Sequence, residues 1–267
     1  MKAFYHLVSV FKVWSQTFDY SKYCNMSNKT LTGKRVVLLG ASSGIGLETA
    51  RLAAAEGAQV VIVSSNLLKV ENALKLLPSN AEGFGVDLSE EQNIKHFFEH
   101  IGSFDHLVFC AGENLTLNKI ASTDIAHARD FFTIRFWAAV ASIKYGASLI
   151  RSGGSISLTS GTAGARPGSG WSIASAICGA MEGFVRAMAV ELSPIRVNCV
   201  MPGVIKTPLW DSLTEVDRNA LYASTANSLL VKRVGESADV AQGFLYLINQ
   251  SFATGQTLVI DGGGLLV

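Results

Sequence analysis

Gly40-Ala41-Ser42-Ser43-Gly44-Ile45-Gly46 is the stretch that decides how this chain is read. It follows residues 35–39, a β-branched and aliphatic run that predicts a strand. It leads into residues 44–56, which read as a helix stopped by Gly57. Glycines between a strand and a helix serve a physical purpose. They allow a tight turn, a close approach of backbone to a pyrophosphate, and close packing of helix on sheet. The helix N-terminus then presents N–H groups and a positive dipole end to the phosphates. The turn therefore predicts a bound dinucleotide.

Working outward, strand-like and helix-like segments alternate. Strands are expected at 59–63, 83–86, 106–109, 155–158, 196–200 and 257–260. Helices are expected at 67–77, from the Ser89-Glu90-Glu91 cap onward, at 124–150 and at 173–192. Strands apolar on both faces and separated by helices predict a parallel sheet covered on both sides. The fold class is α/β: a single Rossmann-type, doubly wound domain with about seven parallel strands and helices on both faces.

The chain has 267 residues, 49% hydrophobic and 16% charged, a globular profile large enough for one substantial core. A net charge of +1, with no basic stripe, argues against nucleic acid or an anionic membrane as partner. No run of about 18 uncharged apolar residues predicts a membrane span. Cys24, Cys110, Cys178 and Cys199 are widely spaced, with no CxxC pair. They read as isolated thiols of a reducing, cytoplasmic compartment, and no metal site is predicted. Residues 1–30 read as an N-terminal extension before a domain spanning 31–267. Met26 opens an ordinary lead-in to the first strand, so residues 1–25 are expected to be dispensable.

Further motifs accumulate in order. Asp87-Leu88 follows the third strand, and Ala111-Gly112 follows the fourth, preceded by Phe109-Cys110. Arg196-Val197-Asn198, Pro202-Gly203 with Ile205 and Thr207, then Gly255 and Asp261-Gly262-Gly263 complete the set. From Leu31 to Val267 the chain resembles the short-chain dehydrogenase/reductase family. The resemblance implies that Ser42, Ser43 and Ile45, within the Gly40, Gly44 and Gly46 frame, line the pyrophosphate. It implies that Asp87 and Leu88 flank adenine and that Cys110, Ala111 and Gly112 pass under a ribose. Pro202, Gly203, Ile205 and Thr207 would meet the nicotinamide amide. It also implies a homodimer or homotetramer, paired through the helices near 124–150 and 173–192.

Which dinucleotide binds depends on the end of the second strand. An acid there holds ribose hydroxyls and repels a 2′-phosphate. Here Ser64-Ser65-Asn66 stand instead. No carboxylate excludes NADP, and hydroxyl and amide groups donate to phosphate. NADP is expected over NAD, although the usual Arg is missing too.

The reaction site breaks the family pattern. The family's chemistry uses a Tyr acid/base, a Lys four residues on, a Ser and an Asn. Aligned between Gly154-Ser155-Ile156 and Glu182-Gly183-Phe184, the Ser position falls on Gly161, the Tyr position on Ala174 and the Lys position on Cys178. The Asn position falls on Arg135. None of the six tyrosines has a lysine four residues later. Arg135 and Ser160 are the remaining catalytic candidates. A guanidinium is a poor acid but polarises a carbonyl or holds a carboxylate; the alternative is a salt-bridged or solvent-facing helix residue. For Ser160 the alternative is a turn hydroxyl bonded to local backbone. Ser172 and Ser175 are expected to cap the following helix, and Cys178 to be a buried small residue. Leu209, Trp210, Leu213, Leu221 and Tyr222, between 204 and 235, suggest an apolar small-molecule substrate or core packing. Two functions stay open: an NADP-dependent oxidoreductase with a rewired acid/base apparatus, acting on a carbonyl, imine or activated alkene, or a non-catalytic dinucleotide-binding sensor or partner subunit.

Overall fold

A computed structural model of the protein describes residues 30–113 and 117–267. The N-terminal extension thus lies, but for Thr30, outside the described residues.

Seven strands form one parallel sheet in the order β3-β2-β1-β4-β5-β6-β9. They are β1 (Arg35–Leu39), β2 (Gln59–Ser64), β3 (Glu82–Gly85), β4 (Phe104–Phe109), β5 (Ile150–Thr159), β6 (Arg196–Pro202) and β9 (Thr257–Ile260). The helices are α1 (Gly44–Ala55), α2 (Leu67–Leu74), α3 (Glu91–Ile101), α4 (Ile125–Phe132), α5 (Ala138–Gly146), α6 (Ser172–Glu191), α7 (Glu215–Ser228) and α8 (Ser237–Asn249). A separate two-stranded pair joins β7 (Ile205–Lys206) to β8 (Gly235–Glu236).

Side chains alternate across a strand, so a strand buried on both faces feeds two cores. Val36, Leu38, Val60 and Ile62 pack with Ala50 and Ala53 of α1, Val70 of α2, and Val240 and Phe244 of α8. Their neighbours Val37, Leu39, Val61 and Val63 pack with Ile94 and Phe97 of α3, Ile143 of α5 and Met181 of α6. Each such Val, Leu or Ile contributes roughly 1.5–3 kcal/mol by leaving water. The two layers explain why these strands read as unbroken apolar runs.

Several expected boundaries change. The helix expected over 124–150 is three pieces: α4, a π-helical turn at Thr133–Trp137, and α5. A short 3-10 turn (Ala147–Leu149) then ends it, and Ile150 already belongs to β5. The early start of β5 comes from tertiary contacts. Arg151 pairs with Asp105 at 2.8 Å, and the β4–β5 register shifts between Phe104 and His106. Helix α2 stops at Leu74, short of residue 77. Ser89 does not cap α3: its hydroxyl donates to Asp87 Oδ1 at 2.8 Å, and Glu90 holds the cap position without a side-chain bond. Ser172 is the first residue of α6, whose cap position is Trp171, again without a side-chain bond. Helix α6 is long and apolar enough, at a mean hydropathy of 1.4, to pass a membrane-span criterion. It nevertheless lays Ala174, Ile177, Met181 and Val185 into the protein interior.

Candidate active site

In a sheet of this order the strand order, not the strand direction, reverses between β1 and β4, and ligands bind in the crevice beyond the strand ends at that point. A cavity of about 460 Å³ opens there, floored by the turn from Gly40 to Gly46. The turn is shaped for close approach. Gly40 has φ +82°, and a β-carbon there would overlap Ala111. A β-carbon at Gly46 would overlap the Gly40 carbonyl oxygen and lie 2.9 Å from Ala41 Cα. Ser43 precedes α1 and its side chain makes no cap on the helix N-terminus.

All the residues expected around the dinucleotide line this one cavity: Gly40, Ser42 to Gly46, Ser64 to Asn66, Asp87, Leu88, Cys110 to Gly112, Pro202, Gly203, Ile205 and Thr207. Ser42 Oγ donates to Ser64 Oγ at 2.9 Å, joining the glycine turn to the end of β2. Asn66 Oδ1 accepts from Lys69 N and so caps α2. Asp87 Oδ1 accepts from Ser89 N, so it closes a turn and faces the cavity at once. Gly203 packs against Asp261, whose Cα a β-carbon would meet at 3.0 Å.

The four positions aligned with the family's Ser, Tyr, Lys and Asn are also brought together. Gly161, Ala174, Cys178 and Arg135 all line the cavity. No tyrosine or histidine is among the described residues lining it. Arg135 sits on the π-helical turn, flat against Gly112: a β-carbon there would lie 2.7 Å from Nη1. Its Nη2 donates to the Glu113 carbonyl, and its Cζ lies 4.8 Å over the Phe131 ring. Ser160 turns toward α6 rather than only to its own loop. Its Oγ donates to Glu182 Oε1 at 3.2 Å and to the Cys178 carbonyl at 3.3 Å. Burial pushes the Cys178 thiol above its usual range. The Cys110 thiol, which Thr159 Oγ1 approaches at 3.6 Å, is pushed up to about 12 by burial. Neither thiol ionises near neutrality. Of the apolar residues expected over the substrate, Leu209 and Trp210 reach the cavity; Leu213, Leu221 and Tyr222 are not among its lining residues.

Two charged residues at the cavity escape a motif-based reading. Lys69 lies one turn into α2, three residues beyond Asn66. Its spacing from Asn66 on one helix face is the signal that could have found it. Glu113 directly follows Ala111-Gly112 at the C-terminal end of β4, where the switch point puts ligands.

Comparison with known proteins agrees with this geometry. Residues 40–264 match the family described as enoyl-(acyl carrier protein) reductase. The short-chain dehydrogenase/reductase ATR9 of Stachybotrys chlorohalonatus is 33% identical over 266 residues, covering 89% of this chain and 99% of that protein. The crystal structure of a small-chain dehydrogenase in complex with NADPH superposes at a TM-score of 0.79 with 35% identity, covering 88% of this chain and 99% of its own. The MalC reductase/Diels-Alderase of Malbranchea aurantiaca superposes at 0.82 with 30% identity, covering 89% and 98%. The chain belongs to the short-chain dehydrogenase/reductase family and is an oxidoreductase.

Proposed function

We propose that this protein is an NADP-dependent oxidoreductase of cytoplasmic location that reduces a small carbonyl, imine or activated-alkene substrate without the family's tyrosine and lysine. One observation carries the reading. A single cavity runs from the glycine turn to Arg135, Ala174 and Cys178, so cofactor and substrate ends are continuous. The turn and the N-terminus of α1 suit the pyrophosphate. Ser64, Ser65, Asn66 and Lys69 offer donors and a cation to a 2′-phosphate, with no carboxylate to repel it. Pro202, Gly203, Ile205 and Thr207 suit the nicotinamide amide. When bound, the reduced nicotinamide supplies hydride; the protein supplies orientation and electrostatics. Arg135 polarises the accepting atom, and Leu209 and Trp210 shield the site from water. Free thiols at Cys110, Cys178 and Cys199 suit a reducing compartment. The protein is proposed to act as a homo-oligomer.

The test is NADPH oxidation by the full chain against ketones, imines and enones, with Arg135→Ala and Ser160→Ala beside it. Turnover that Arg135→Ala lowers at least tenfold is expected. NADPH binding with no turnover on any class would replace this reading with that of a dinucleotide sensor. Turnover untouched by both substitutions would remove both residues from the chemistry.

A further inference from the structure

The substrate end of the cavity holds few groups that could carry a proton. Cys178, like Cys110 on the expected ribose side, is held neutral by burial and is a poor acid at ordinary pH. Arg135 hardly releases its proton. Ser160 is committed to Glu182 and the Cys178 carbonyl. Glu113 remains. Its Oε2 is buried and has no hydrogen-bond partner among the described residues, and the same is true of Arg135 Nε. The two atoms stand 3.8 Å apart, in ion-pair range but beyond a hydrogen bond. A carboxyl oxygen left unsatisfied beside a cavity is costly unless something completes it.

We propose that Glu113 delivers the proton at the substrate end of this cavity, with Arg135 holding it in place and stabilising the carboxylate it becomes. The step rests on the reductase reading given above. Hydride from the reduced nicotinamide forms the new C–H bond, and the π electrons move onto oxygen or nitrogen. The Glu113 O–H bond breaks as the new O–H or N–H bond forms. A carboxylate and the oxidised dinucleotide remain, and solvent returns the proton to Glu113. A substrate lacking charge, which needs a proton as well as hydride, is the class that would require this residue.

The surroundings fit a carboxyl that keeps its proton. Burial raises the Glu113 pKa, and Asp130 on α4 adds to the rise. Its own backbone N–H, Arg135 on the π-helical turn and His127 on α4 oppose it, yet the net direction is upward. Arg135 also faces Cys178 of α6. Besides polarising the accepting atom, Arg135 positions Glu113: Nη2 fixes the Glu113 backbone while Nε faces the nascent carboxylate.

The experiment compares the full chain with Glu113→Gln, Glu113→Asp and Arg135→Lys. NADPH affinity, read by fluorescence titration, is expected to stay within about twofold in Glu113→Gln. The kcat of the parent chain should fall as pH rises through the raised carboxyl pKa, because the acid must be protonated to act. Glu113→Gln should lose about 100-fold in kcat, the low end of a general acid's contribution, and lose that alkaline limb. Glu113→Asp should restore part of the limb, and Arg135→Lys should shift it. A carbon-13 carboxyl titration supplies a readout independent of turnover. One glutamate signal should titrate above the ordinary range and vanish in Glu113→Gln. Unchanged kcat and pH profile in Glu113→Gln would overturn the proposal while leaving the reductase reading intact. Absence of turnover in the parent chain would sink the reductase reading, and the proton-delivery step with it. A Glu113 signal titrating normally would overturn the proposal on its own.

Discussion

Ser42 and Ser64 share a hydrogen bond 2.9 Å long between their hydroxyls, tying the glycine turn to the end of the second strand. Beside them Ser65, Asn66 and Lys69 complete one corner of the cavity. Introducing a carboxylate by Ser65→Asp should weaken NADPH at least tenfold, about 1.4 kcal/mol, while NADH tightens or holds. Lys69→Ala should weaken NADPH several-fold, and less so at high salt, where exposed charges are screened. Parallel NADPH and NADH titrations check both; tighter NADH binding by the parent chain would reverse the assignment.

Gly46→Ala places a β-carbon against backbone, not against a yielding side chain. Overpacking of this kind costs roughly 1–3 kcal/mol. Melting should drop by several degrees, and NADPH affinity should fall at least tenfold because the turn opens. A stable variant with undiminished NADPH binding would show that the turn does not cradle the pyrophosphate.

His106 joins β4 to β5 inside the sheet, its Nδ1 2.9 Å from Ser155 Oγ. Burial, with help from Arg196 and Lys34 and against the pull of Asp105, lowers its pKa from 6.5 to about 4. The folded chain therefore excludes a proton that the unfolded chain accepts. The stabilising contribution is complete above pH about 6.5 and is lost as pH falls toward about 4, by about 3 kcal/mol. Urea midpoints across that window should decline more steeply for the parent than for His106→Asn. Equal slopes would place His106 outside the pH response.

The exposed face of α6 bears on assembly. Val190 is 82% exposed at its end, and Trp137 is 59% exposed on the π-helical turn. If these faces pair in a homodimer or homotetramer, light scattering should give a multiple of 28.4 kDa. Val190→Asp combined with Trp137→Asp should reduce it to one chain. A monomeric parent would refute the pairing.

The strands were legible because parallel, doubly covered strands must be apolar on both faces, as Val36-Val37-Leu38-Leu39 is. Glycine spacing and the later motifs led to the cavity lining. What escaped was non-local. The start of β5 depends on Arg151 meeting Asp105, a partner 46 positions away. The π-helical turn has no composition of its own, since residues 124–150 read as one helix. Lys69 and Glu113 belong to no motif; only the spacing from Asn66 hints at Lys69, and the fold brings both to one crevice. Ser160 was placed at the right strand end, but its bond to Glu182 crosses to another element.

A π-helical turn carries one residue more than the helix around it. Removing any one residue from Thr133–Trp137 would let α4 run straight into α5, and each helix residue advances the phase by about 100°. Ala138, Ala139 and Ile143 could then keep their seats in the core while Arg135 swung off Gly112, or the reverse. The extra residue thus uncouples two alignments that a plain helix would force to change together. A single-codon deletion there would displace one of the two alignments and spare the other.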